Sequence, residues 1–241
     1  MRAVAWATLA LGVAACGDDP ATAVIDAAGD ASADAALDAA ADAPADAPLD
    51  APTCAPRTIL VGGQPVEAQG WTVVQSGAAT LTLVGDATQL VTSTVGSAGA
   101  HLLLTRPGTR DPAQPFALAV ELRVDAVAAH NPFDAAAAIL LGFTPPFGVG
   151  VERQQMLYLD PARIGWADDS AQAAAAVTGG AVHVVRFDYD GAGGLTVRFD
   201  GTPALTRTGF VPGGTLAIGD QSNDPGLDAT LAIRAVVELC P

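Results

Sequence analysis

The chain contains no lysine. All 11 basic residues are arginines, set against 26 acidic residues, and the formal net charge is −15. Phosphate recognition needs clustered cations, and none occur, which argues against nucleic acid as a partner. An anionic membrane surface would repel such a chain too. Cysteine is scarce, with three copies. Cys54 and Cys240 lie far apart, and His101, His130 and His183 show no paired ligand spacing, so a zinc site is not supported. There is no Gly-x-Ser-x-Gly, no His-Glu-x-x-His and no phosphate-binding glycine loop. No apolar run reaches the roughly 20 residues that a spanning helix requires.

What is present begins at the N-terminus. Met1–Ala15 has one cation, Arg2, then an apolar stretch that ends in small residues. This is the layout of a secretory signal. With the next residue, Val13-Ala14-Ala15-Cys16 resembles the lipobox of bacterial lipoproteins. That resemblance implies that residues 1–15 are a removed signal peptide and that Cys16 carries lipid as the first mature residue. The lipid then anchors the protein to a membrane of the bacterial cell envelope without a spanning helix. Gly17 rather than an aspartate follows Cys16, which by the same resemblance favours the outer membrane. Asp18 and Asp19 keep that point open, and the leaflet is unresolved.

Residues 16–53 form a low-complexity acidic linker. Asp26, Asp30, Asp34, Asp38, Asp42, Asp46 and Asp50 recur at every fourth position, among Ala, Pro, Ser and Gly. Such a repeat is too short to bury an apolar face against its neighbours. Aspartates four apart repel along a helix face, and Pro44, Pro48 and Pro52 interrupt any helix. No basic residue lies between Cys16 and Arg57. The reading is a disordered, extended spacer, with a partly helical stalk as the alternative.

Residues 54–241 read as one domain. Cys54 and Cys240 bracket it. An exported chain can keep a disulfide, and compact domains often have adjacent termini, so a Cys54–Cys240 bridge is expected; two free thiols are the alternative. On the loop-entropy account the bridge contributes about 4–5 kcal/mol.

Within the domain the apolar period is two. Phe116, Leu118, Val120, Leu122 and Val124 alternate with Ala117, Ala119, Glu121 and Arg123. The segments 182–189, 195–199 and 231–239 alternate in the same way. Half-buried antiparallel strands follow. Further strands are expected over 58–61, 71–75, 80–84, 101–105, 137–143, 155–159, 163–166 and 215–218, separated by Gly and Pro turn signals. The alanine runs at 135–138 and 171–176 are read as single helical turns at most. Many short strands and no long amphipathic helix imply an all-β sandwich or barrel.

His183-Val184-Val185-Arg186-Phe187-Asp188-Tyr189-Asp190 followed by Leu195-Thr196-Val197-Arg198-Phe199-Asp200-Gly201 is more specific. The pair resembles the hairpin of concanavalin A-like (legume-lectin, laminin-G-like) domains. Gly70-Trp71-Thr72-Val73 fits an early strand of that superfamily, and Leu216 to Val237 its closing strands. The resemblance implies an antiparallel jelly-roll β-sandwich over most of 57–241. It implies no activity, because fold alone assigns none.

The domain offers residues for three chemistries. Glycosidases of that superfamily place two carboxylates on alternate residues of a strand. The Glu-x-Asp-x-x-Glu pattern is absent, and Glu121-Leu122-Arg123-Val124-Asp125 reads as a solvated strand face with an ion pair. No catalytic residue is assigned. Calcium wants several oxygens from one loop, and the superfamily often binds it at the sandwich rim. Asp220, Asn223, Asp224 and Asp228 read either as that loop or as a plain polar turn, and Asp168 with Asp169, or Asp188 with Asp190, as weaker versions. Sugar binding needs aromatic rings with polar neighbours. Tyr158 and Trp166, on neighbouring strands, form the expected platform, with Arg153, Arg163, Asp168 and Gln155 as hydrogen-bonding groups; core packing is the alternative for both rings. Trp71 is expected in the core. Arg186, Arg198, Asp188 and Asp200 are expected as a structural ladder on an exposed face. The function expected is a non-catalytic, lectin-like module that binds a glycan or an envelope partner. A divergent polysaccharide-cleaving enzyme and a purely structural envelope lipoprotein are the alternatives.

Overall fold

Aliphatic residues alternating with polar ones yield strands, and the strands pair in two layers. The structure is a computed structural model that describes residues 54–92, 99–108, 111–143, 152–222 and 224–241. The expected signal segment (1–15) and linker, with Cys16, and Asn223 lie outside the described residues. In chain order the strands are β1 (Arg57–Val61), β2 (Thr72–Ser76), β3 (Thr80–Val84), β4 (Ala87–Val91), β5 (His101–Arg106), β6 (Phe116–Val127), β7 (Ala138–Phe143), β8 (Met156–Asp160), β9 (Arg163–Trp166), β10 (Gln172–Ala174), β11 (Val182–Tyr189), β12 (Leu195–Phe199), β13 (Thr202–Arg207), β14 (Thr215–Asp220) and β15 (Ala229–Leu239). An eight-stranded sheet runs β13-β12-β11-β6-β15-β4-β3, with β1 also paired to β15. A seven-stranded sheet runs β10-β9-β8-β7-β14-β5-β2. Among the described residues no helix is long and apolar enough to cross a membrane.

The inward faces of the two sheets share one core. Leu118, Val120, Leu122, Phe187 and Val197 enter it from the eight-stranded sheet, and Leu104, Ile139, Leu157, Ile164, Trp166 and Ile218 from the other. Each such buried side chain contributes about 1.5–3 kcal/mol. This is the sandwich that the alternation implies. The hairpin quoted above is β11–β12, with Val185 opposite Phe199 and Tyr189 opposite Leu195. Trp71 is a core residue, and its indole N–H donates to the Ile59 carbonyl at 2.6 Å.

Three strands differ from the sequence-based expectation. β4 follows a tight turn and is only five residues long. The run read as a helical turn near 171–176 contains β10, a three-residue edge strand on β9. β13 contains Pro203, a residue that argues against a central strand but is tolerated at an edge, which is where β13 lies. Cys54 and Cys240 are bonded, with Cα atoms 5.6 Å apart, and link the approach to β1 with the end of β15.

The outward face of the eight-stranded sheet carries the expected charges. Arg186 and Arg198 both bond Asp188, at 2.7 and 3.0 Å. Arg123 bonds Asp125 at 2.6 Å, and Arg234 reaches Glu121 at 3.0 Å. Asp200 is a correction. It does not extend the ladder; it accepts from the Val184 N–H at 2.9 Å and meets His183 Nδ1 at 2.8 Å. The outward face of the seven-stranded sheet is apolar and covered, with Leu103, Leu140, Met156, Tyr158 and Ala217 in a second buried cluster that includes Ala135.

Candidate functional site

The covering segment 128–137 is fastened to that second face through a histidine. Register places Tyr158 of β8 opposite Gly165 of β9. The phenol lies across the glycine so closely that a Cβ at 165 would stand 2.3 Å from its oxygen. His130 stacks on the Tyr158 ring, with centroids 3.7 Å apart and planes 16° apart. Its backbone N–H donates to Asp160 Oδ1 at 2.8 Å, Nδ1 lies 2.9 Å from Asp160 Oδ2, and Nε2 lies 3.0 Å from Asp169 Oδ1. Each ring nitrogen thus faces a carboxylate. Arg163 Nε donates to Asp160 at 2.9 Å, and its Nη1 donates to Gln172 at 3.0 Å.

Beyond His130 the chain turns and presents an aromatic ring. Asn131 Oδ1 accepts from the N–H groups of Phe133 and Asp134 at 2.7 and 2.9 Å, an Asx turn. Asn131 Nδ2 donates to Asp224 at 3.2 Å, which ties the turn to the 220–228 loop. Phe133 is 74% exposed. The Arg153 guanidinium carbon lies 5.5 Å from its ring centroid. Burial pushes the Asp134 carboxyl above the usual carboxylate range, and Asp224 adds to that, while Arg153 and a bond from Gln221 oppose it. Arg153 Nη2 and Gln221 Oε1 are buried without a hydrogen-bond partner. The result is an exposed aromatic ring beside the Arg153 guanidinium, on a turn that also carries Asn131 and Asp134. Such a set can stack on a pyranose and bond its hydroxyls.

The expected calcium loop is built differently. Asp220 points inward, 2.5 Å from Thr92 Oγ1, and accepts the Ser222 N–H at 2.8 Å. Burial pushes its carboxyl up to about 8. Its side chain is an interior group engaged by Thr92 and Ser222. Asp224 accepts from the Gly226 N–H at 2.9 Å as well as from Asn131. Burial also raises Asp228. Asn223 lies outside the described residues. Among the described residues no three His, Cys, Asp or Glu side chains converge as a metal site.

The expected Tyr158–Trp166 platform does not form. Register pairs Leu157, not Tyr158, with Trp166, so the two rings leave opposite faces of the sheet. Trp166 is in the inter-sheet core and Tyr158 in the outer cluster, and both are buried. Arg163 braces the histidine clamp. Asp168 accepts from Ser170 Oγ at 2.6 Å and pairs with Arg207, whose guanidinium lies 4.8 Å from the Trp166 ring centroid. Burial pushes Asp168 up, but the Ser170 and Arg207 bonds outweigh it and hold the carboxyl below its usual range. Gln155 donates to the Val211 carbonyl and lies over Gly142. Of the expected sugar ligands only Arg153 approaches the exposed ring.

His130, Asn131, Phe133 and Asp134 were not anticipated. The available signal was Asn131-Pro132, a turn initiator set beside an aromatic residue.

No protein-family model matches the chain, and no curated protein sequence does. Solved structures share its architecture. The carbohydrate esterase vb_24B_21 from Shiga toxin-encoding bacteriophage phi24B is 14% identical, with a TM-score of 0.53, and covers 78% of this chain and 100% of its own. Lectin I-B4 from Griffonia simplicifolia, in its metal-free form, is 15% identical with a TM-score of 0.52, over 77% of this chain and 99% of that one. The exoplasmic/lumenal domain of VIP36, metal-free, is 12% identical with a TM-score of 0.50, over 72% and 85%. The fold is the concanavalin A-like jelly roll. At these identities the likeness is one of fold, as the hairpin resemblance implied.

Proposed function

We propose that the domain is a non-catalytic, lectin-like module that binds a glycan, and that Cys16 holds it by lipid at a bacterial envelope membrane, with the outer membrane favoured. The observation that carries the first half is Phe133, an exposed ring fixed by an Asx turn and flanked by Asn131, Asp134, Arg153 and Asp224. The lectin-like fold supports it. Binding of the full chain to a glycan array tests it. Wild type should give saturable signals that Phe133→Ala lowers by tenfold or more; an array blank for wild type, or signals indifferent to Phe133, overturns the reading. For the anchor, Cys16→Ser should move the protein from the membrane fraction to the soluble one, and unchanged fractionation overturns it.

Calcium enters this proposal at one place. Asp134 and Asp224 sense each other's charge, and a cation beside them would relieve it. Asp220 does not belong to that pair. Millimolar calcium should raise the melting temperature of wild type and not of Asp224→Ala. Identical wild-type curves in calcium and in chelator would leave the loop as a polar turn.

A second reading, a carbohydrate-active enzyme, draws on the phage esterase of the same fold and on His130 between two carboxylates. Against it, both ring nitrogens are occupied by carboxylates, so the histidine reads as a clamp. Hydrolysis of ester-bearing glycans by wild type and its loss in His130→Ala would reverse the order of the two readings.

A further inference from the structure

Acidic residues outnumber arginines in this chain, and arginine side chains accordingly find partners. Among the described residues, every arginine except Arg106 and Arg153 has a carboxylate within 4.0 Å. Arg153 still shares the field of Asp134. Arg106 is therefore the exception in a domain with acids to spare. Its Nη1 donates to the carbonyls of Gln69 and Ile59, and its guanidinium lies 6.0 Å from the Trp71 ring centroid. These contacts hold the cation in place without neutralising it.

Arg106 lines a cavity of about 310 Å³. That is the lower end of the range for small-molecule sites. The lining combines charge with core. Ile59, Leu141 and Leu216 are core side chains, while Arg57 and Glu238 lie on the same lining and bond each other at 3.0 Å through Arg57 Nε. Gly108 and Gly213 also line it, and a Cβ on either would meet nothing within 4 Å. Side chains that would fit are absent, so the cavity is left open.

We propose that this cavity binds a small organic anion, its carboxylate on Arg106 and its short apolar body against Ile59, Leu141 and Leu216. Each half of the ligand answers one half of the site. A bare anion would leave the apolar lining wet, and a neutral chain would leave Arg106 without a counter-charge. The site shares no residue with the Phe133 turn, so the two proposals stand or fall separately.

Sodium hexanoate is the probe, with sodium acetate lacking the apolar body and hexanol lacking the charge. The full chain is titrated with each, following tryptophan fluorescence and the melting temperature. Hexanoate should bind saturably and raise the melting temperature with concentration, at least tenfold more tightly than acetate or hexanol. Arg106→Gln should weaken hexanoate at least tenfold. Because Arg106 also braces two backbone carbonyls, Gly213→Leu is the companion variant. It keeps the arginine, fills the cavity, and should cause the same loss with an unchanged melting temperature in the absence of hexanoate. Hexanoate that binds no better than acetate, or that binds both variants as well as wild type, overturns the proposal.

Discussion

The two sheets treat their outward faces in opposite ways. The eight-stranded sheet turns out charges that pair among themselves, as Asp188 does between Arg186 and Arg198, and stays open to water. The seven-stranded sheet turns out Leu103, Leu140, Met156, Tyr158 and Ala217, which are buried. An apolar outer face requires a cover, and here the cover includes the segment that carries His130 and Phe133. The open face is a finished surface, whereas the covered face has an added layer. That layer is irregular chain on a rigid sheet, the usual place for binding residues.

The two faces should differ most at Leu140. Leu140→Ala on the covered face should cost about 2–5 kcal/mol, while Val184→Ala on the open face should cost below about 1 kcal/mol. Denaturant midpoints of the two variants check it, and equal midpoints would mean that the covered face is not packed.

Next comes pH. Folding raises Asp220 from 3.8 to about 8, so between those values the folded protein holds a proton that the unfolded chain has released. Stability should therefore fall as pH rises through this window and level off above it, an effect on the order of a few kcal/mol. Asp220→Asn can donate to Thr92 and accept from Ser222 while never ionising. Its melting temperature should fall less between pH 4 and pH 8 than that of wild type. Parallel curves would show that Asp220 is not the group responsible.

Gly165→Ala should push Tyr158 off the sheet and loosen the His130 clamp. The expected cost is about 1–3 kcal/mol, with weaker binding at the Phe133 turn. Glycan affinity and melting temperature measured together test the link, because a stability loss with unchanged affinity would uncouple clamp from turn. The smallest effect belongs to the open face. Asp188→Ala removes two exposed ion pairs and should change stability by less than about 1 kcal/mol at physiological salt.

Much of the fold was legible because period two survives in β6, β11, β12 and β15, each with one wet face. In β5, β7 and β8 both faces are buried, so the alternation disappears and the sequence carries no sign of which way each residue points. Tyr158 and Trp166 show the consequence. Adjacent strands suggested a shared platform, but a register offset of one residue sends side chains to opposite faces. The site was less legible still. His130 has partners 30 and 39 residues away, contacts that no local pattern encodes. Asp220 looked like a ligand because a carboxylate in a polar loop usually faces water; only the position of Thr92 shows that it does not.

The Cys54–Cys240 bond also decides how the domain carries a mechanical load. A pull arriving along the chain from residue 53 enters at Cys54, and the one strand that pairs with β1 is β15, over the short stretch 57–61. Without the bridge β1 would peel away first, one rung at a time. With it, tension passes directly to the end of β15, which is laced to β6 along most of its length and to β4 further up. The load then falls on a strand paired on both sides rather than on the short β1.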